Sequence, residues 1–215
     1  MYNQIVRHVS TNVKSLFEVT MKKYSLEILT FLTFGMVTGC AVFYDSMTIL
    51  QKTMLAYMFL FTIHEWEEIR LPGGFAQLMA KFFGFELTPE KEQKAHIPVV
   101  VLILFMTFIP FFTQWNILAL VPVYLGFMEG FIHVAGIKIH KMLKPYTPGM
   151  VTAICMFAVS VYTVHLFSAQ DIAHGSTFAW GVLATFLCFA AMQRTVIAIM
   201  GMGYRDVIAR FRKKA

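Results

Sequence analysis

Leu55-Ala-Tyr-Met-Phe-Leu-Phe-Thr-Ile-His64-Glu65-Trp66-Glu67-Glu68 joins an apolar run suited to lipid directly to an imidazole and three carboxylates. Ionisable groups at membrane depth are costly and mark functional sites. On a helix His64, Glu67 and Glu68 fall at i, i+3 and i+4, so they share one face about one turn long. That geometry can hold a cation. Glu65 and Trp66 are expected to point elsewhere.

The rest of the chain agrees with a membrane setting. Of 215 residues 58% are hydrophobic and 14% charged, where soluble domains carry roughly 25% charge. Cys40, Cys155 and Cys188 all lie in apolar runs, with neither a disulfide framework nor zinc spacing, and read as packing residues. The first 24 residues lack the long apolar core and small-residue site of a cleaved signal. An all-α membrane protein follows, with six spans of about 20 residues at roughly 25–44, 49–69, 97–113, 116–138, 149–168 and 177–201.

Two shorter amphipathic helices accompany the spans. Residues 2–23 gather Ile5, Val9, Val13, Leu16 and Phe17 on one face, as on a helix lying on an anionic leaflet. After the breaker Leu71-Pro-Gly-Gly74, the residues Phe75, Leu78, Met79, Phe82 and Phe83 repeat at helical spacing. Thr88-Pro89-Glu90 reads as an N-cap, a proline at the first helical position and an acid in the first turn. The expected organisation is a cytoplasmic interfacial helix over 1–24, a six-span domain over 25–203 with an amphipathic helix at about 74–85, and a basic cytoplasmic tail over 204–215.

Charge orients the chain. Sixteen of the 18 Lys and Arg fall on one side of the six-span arrangement, Lys52 alone on the other, and Arg194 within the last span. The positive-inside rule then puts both termini in the cytoplasm, with the bacterial inner membrane as the expected compartment. The net charge of +6 is explained by topology and anionic lipid, and nucleic acid is not an expected partner.

Three spans bring polar groups to the cytoplasmic level. Span two ends in the His64 cluster, span four carries Glu129, His133 and His140 on one stripe, and span six contributes Gln193 and Arg194. Gly126 and Gly130 form a small-xxx-small pair that lets another helix approach closely. Glu67, Glu68 and Glu129 cannot all stay ionised in low dielectric without a positive partner. A divalent metal held by His and Glu satisfies this, and so does a core salt-bridged by Arg194 and Arg70, or a protonated one. His64, Glu67 or Glu68, and His133 would form the three-ligand open set of catalytic zinc. Adding Glu129 gives a carboxylate-rich set suited to iron or manganese. His-Glu-x-x-Glu differs from the zincin helix by one ligand, and the seven histidines are too few for the histidine-rich desaturases. His8, His96, His165 and His174 read as interfacial or solvated.

Tyr146-Thr-Pro-Gly149 follows span four. Together with His64-x-x-Glu67-Glu68 it resembles the HXXEE family, predicted multi-pass membrane proteins with a further histidine and a Tyr-x-Pro-Gly motif. The resemblance implies roles for His64, Glu67, Glu68, Tyr146, Pro148 and Gly149, and for His133 as the extra histidine with His140 as the alternative. It carries no established activity. By itself the Tyr-x-Pro-Gly stretch reads as a turn capping span five, or as a Tyr146 hydroxyl aimed at the metal level.

The expected function is a metal-dependent membrane enzyme, hydrolase-like, acting on a lipid-like or amphipathic molecule. Zinc is the first expectation, with iron or manganese as alternatives. Glu67 or Glu68 would act as ligand or base, Tyr146 as an acid, and Arg194 with Gln193 would hold the substrate. The alternatives are a non-haem iron oxidoreductase, a proton-coupled transporter and a non-catalytic metal-binding protein.

Overall fold

A computed structural model of the protein describes residues 23–143 and 145–212. The helix expected over 2–23 lies almost wholly outside them. Every regular element among the described residues is helical. α1 runs over Lys23–Ala41, and a short 3-10 turn (Tyr44–Ser46) leads to α2 (Ile49–Ile69). α3 (Phe75–Phe83), α4 (Pro89–Thr113), α5 (Asn116–Ile139), α6 (Met150–Ala169), α7 (Gly175–Ile199) and α8 (Tyr204–Arg212) follow.

Five of these, α1, α4, α5, α6 and α7, are long and apolar enough to cross a membrane, which makes this a multi-pass membrane protein. α2 has the length, at 21 residues. Lys52 and the Glu65, Glu67 and Glu68 cluster leave it outside the apolar set. Large apolar side chains such as Phe31, Phe112, Phe131 and Phe186 are exposed around the bundle, as a lipid-facing belt requires.

Local chemistry sets the helix ends. Thr48 and Gln51 form a reciprocal capping box at the start of α2. Gly73 and Gly74 adopt left-handed backbone and turn the chain into α3. Thr88 caps α4 through its side chain, as the sequence indicates, but α4 is one helix from Pro89 and does not begin near residue 97. Pro98 lies inside it, because neighbouring helices in a membrane bundle can satisfy the backbone group a proline leaves free.

α5 is the centre of the bundle, packed chiefly against α6 and α7 and also touching α4 and α2. Gly126 and Gly130 make the α6 contact possible, since a Cβ on either would run into Ser160 and Met156 or into Phe157. Polar contacts tie α1 to α2: Thr33 to Thr62 at 2.7 Å, the Trp66 indole donating to Thr30 at 2.8 Å, and Arg70 paired with Glu27. Arg70 is therefore committed away from the carboxylates of the site.

Candidate metal centre

Helix geometry sorts the three glutamates of α2. Taking about 100° per residue, Glu68 lies about 40° to one side of His64 and Glu65 about 100° to that same side. Glu67 lies about 60° to the other. Glu68 and Glu65 accordingly face the interior between α4 and α5, and Glu67 faces α6.

On the interior side four ligand atoms converge. His64 and Glu68 of α2 meet Glu129 and His133 of α5, with donor atoms all within 4.8 Å of one another. His64 Nε2 is 3.5 Å from Glu68 Oε1 and 3.7 Å from Glu129 Oε2. His133 Nε2 is 3.1 Å from Glu68 Oε1 and 3.5 Å from Glu129 Oε2. Both imidazoles are buried. His133 Nε2 makes no hydrogen bond of acceptable angle despite its closeness to Glu68.

The far nitrogens explain why. His133 Nδ1 meets the Thr147 hydroxyl at 3.1 Å, and that hydroxyl donates to the His133 carbonyl. His64 Nδ1 meets the Thr152 hydroxyl at 2.9 Å, and that hydroxyl donates to Glu67 Oε2 at 2.6 Å. With the Thr152 proton committed to Glu67, the network assigns the His64 ring proton to Nδ1, and a Thr147 hydroxyl that donates to the His133 carbonyl holds His133 in the same tautomer. Both Nε2 lone pairs then point at carboxylate oxygens, and only a cation or added protons satisfy such an arrangement. Thr147 and Thr152 were not legible as site residues, since a threonine carries no distinguishing signal until its partner is known.

Glu67 does something else. Its Oε1 accepts from the Tyr146 hydroxyl at 2.9 Å and the Val151 amide at 3.1 Å, and its Oε2 from the Thr152 amide at 2.9 Å. It is the anchor for the first turn of α6. Burial and the neighbouring carboxylate push the Tyr146 phenol up to about 12, which keeps it a donor to Glu67. The structure thus places neither Glu67 nor Tyr146 against the four converging atoms.

The turn held by Glu67 closes over the cluster. Gly149 has a φ of 91°, and a Cβ there would lie 2.7 Å from His133 Cε1, 2.8 Å from Glu68 Cγ and 2.9 Å from His64 Cε1. The Tyr-x-Pro-Gly turn is therefore the roof of the site. These two motifs, which far separated stretches of sequence supply, form one object.

A family profile described as protein of unknown function with HXXEE motif matches residues 54–164, more than half of the chain. The chain belongs to the HXXEE family. No match was found among curated proteins or among solved structures. The HXXEE motif itself splits by role here: His64 and Glu68 enter the cluster, and Glu67 holds the roof. The further histidine that meets them is His133. His140 sits at the end of α5 with its ring 4.9 Å from that of Phe82 and is not one of the four.

A cavity of about 400 Å³ opens from the cluster. It runs between α2, α4, α5 and α7 and is covered by α3 and α8, with Phe61, Val99, Met106 and Phe189 among its apolar lining. Gln193 lines it. Arg194, one position round α7, is exposed on the outer face and does not reach it. Glu65 is buried and lines the cavity beside the cluster, contrary to the expectation that it points elsewhere. His96, expected to be interfacial or solvated, is half-buried and lines it too.

Proposed function

We propose that this HXXEE protein is a membrane-embedded, metal-dependent enzyme, hydrolase-like, that acts on a lipid-like or amphipathic substrate. The observation that carries the reading is the pair of buried histidine Nε2 atoms facing two carboxylates at the head of an apolar cavity. The four donor atoms stand 3.1–3.7 Å apart across their His–Glu pairs. Ligands about 2.1 Å from a tetrahedral zinc ion are about 3.4 Å from one another. His64, Glu68, Glu129 and His133 would hold the ion, which would supply Lewis acidity and an activated water. Thr147 and Thr152 fix the imidazoles in the ligating tautomer, and the cavity walls exclude bulk water.

The presence of two carboxylates favours one second reading, a non-haem iron oxidoreductase, since oxygen-rich sets suit iron and manganese better than zinc. A proton-coupled pathway has less support, because the core beyond the cluster is apolar around Leu120, Val121 and Met106.

In this reading α2 is a sixth span and both termini lie in the cytoplasm of a bacterial inner membrane. The ends of α2, α5 and α7 and the starts of α4 and α6 then share the cytoplasmic side with nearly all Lys and Arg. The cluster and its roof then lie near that side. Elemental analysis of the detergent-purified protein beside a His64→Ala, His133→Ala double variant tests the proposal. About one zinc or iron per chain, absent in the variant, is expected. A metal-free, folded protein from metal-replete cells would overturn it.

A further inference from the structure

The cavity is unusual in its charge. Among the described residues its wall carries four carboxyl groups, Glu65, Glu68, Glu92 and Glu129, and no Lys or Arg. The cations nearest by sequence are committed elsewhere or face outward. Arg210 donates to the Phe83 and Gly84 carbonyls, Lys91 to the Glu86 carbonyl, Arg70 pairs with Glu27, Lys94 with Glu90, and Arg194 is exposed. A divalent ion in the cluster would be balanced by Glu68 and Glu129 alone. Glu65, buried on the wall with no side-chain hydrogen bond among the described residues, is an acid and brings no positive charge in either protonation state. An anionic head entering this space would leave water for a site with no positive charge to spare, a juxtaposition that costs binding. The neutral amide of Gln193 is on the wall to meet an uncharged carbonyl or hydroxyl.

The shape is equally selective. Glu92 and Met106 both line the wall, separated by about 21 Å of helix axis. From there to the cluster the lining is almost entirely Phe, Met, Val, Leu and Ile. At about 400 Å³ the space is at the lower end of small-molecule sites and suits one chain better than two.

We infer that the substrate is a single-chain amphiphile with an uncharged head, an ester or amide for the hydrolytic reading, whose chain lies in the cavity and whose head meets the cluster beside Gln193. Fatty acids, acyl phosphates and anionic phospholipids bind more weakly. The inference rests on the proposed function for the chemistry of the head, but its selectivity arises from the wall.

Equilibrium dialysis tests it. Full-length protein in phosphatidylcholine nanodiscs is dialysed against empty discs of the same lipid, using radiolabelled methyl palmitate, palmitate and hexadecyltrimethylammonium. Methyl palmitate should be retained about tenfold more strongly than palmitate. Ala95→Phe, which fills the cavity, should remove that retention. Gln193→Lys, which adds the missing cation, should raise palmitate retention and narrow the gap. Equal or stronger retention of palmitate, strongest retention of the quaternary amine, or no retention of any of the three would overturn the inference. So would wild-type retention by Ala95→Phe. Metal content of the same samples separates the two claims. Neutral selectivity in metal-free protein keeps the inference and removes the metal enzyme, and bound metal with palmitate preferred does the reverse.

Discussion

Replacing Gly149 with alanine probes the roof over the cluster. Two costs add. An L-residue at a φ of 91° sits in left-handed backbone, at roughly 1–2 kcal/mol. Its Cβ would also stand 2.7, 2.8 and 2.9 Å from His133 Cε1, Glu68 Cγ and His64 Cε1, and forcing a methyl into a packed site costs roughly 1–3 kcal/mol more. The three atoms belong to candidate ligands, and both rings are pinned at Nδ1 by threonines, so the roof has to lift or the ligands have to part. Metal affinity should fall about 10–100-fold, the scale of lost ligand support. Gly201→Ala supplies the control, because Gly201 has a φ of 76° with nothing within 4 Å of the added Cβ. It bears the backbone cost alone. Thermal unfolding and zinc titration of both variants decide the matter. Gly149→Ala should be the less stable by about 1–3 kcal/mol and alone should lose metal affinity. Equal stability and equal affinity in the two variants would refute the roof.

The two neighbouring glutamates should part company. Glu67→Gln turns an NH₂ toward backbone donors and should destabilise the protein by about 1–3 kcal/mol with metal retained, whereas Glu68→Gln should lose metal with little change in melting, both read by elemental analysis and thermal unfolding. Tyr146→Phe removes one hydroxyl donor from Glu67 and should cost about 1 kcal/mol without altering metal stoichiometry in the same two assays. Thr147→Val and Thr152→Val should each weaken zinc binding about 10–100-fold by freeing an imidazole tautomer, measured by competition with a chelator. Unchanged affinity in both would remove the orienting role.

Much of this architecture is legible in the chain because lipid imposes a simple rule: a span needs about 20 apolar residues. The helices found at Asn116–Ile139, Met150–Ala169 and Gly175–Ile199 fall where apolar runs end. The start of α4 was harder to place, because Pro98 and the charged stretch from Glu90 to Lys94 resemble an interruption. The partner helices that make a proline tolerable are not written locally. Arg194 shows the same limit. α7 is apolar on all sides around Gln193 and Arg194, so nothing in its own pattern says which of the two faces inward. Only the packing of α7 on α5 and α4 decides it.

The motif itself shows how a short pattern hides a division of labour. His64, Glu67 and Glu68 share a face in the coarse sense that helical spacing allows, yet about 100° separates the two glutamates, and that angle spans the boundary between α6 and the cavity. Glu67 cannot ligate without abandoning the three donors at the start of α6. If it did, Thr152 would lose the acceptor that fixes its proton, and His64 would lose its orienting partner. The cluster half of the motif thus depends on the tether half through one hydroxyl, that of Thr152, which touches both Glu67 and His64. This coupling gives a physical reason for two adjacent glutamates where the cluster takes only one. It also explains why the Tyr-x-Pro-Gly turn accompanies them: Tyr146 saturates the tether, and Gly149 is the residue small enough to lie across the centre that the tether holds closed.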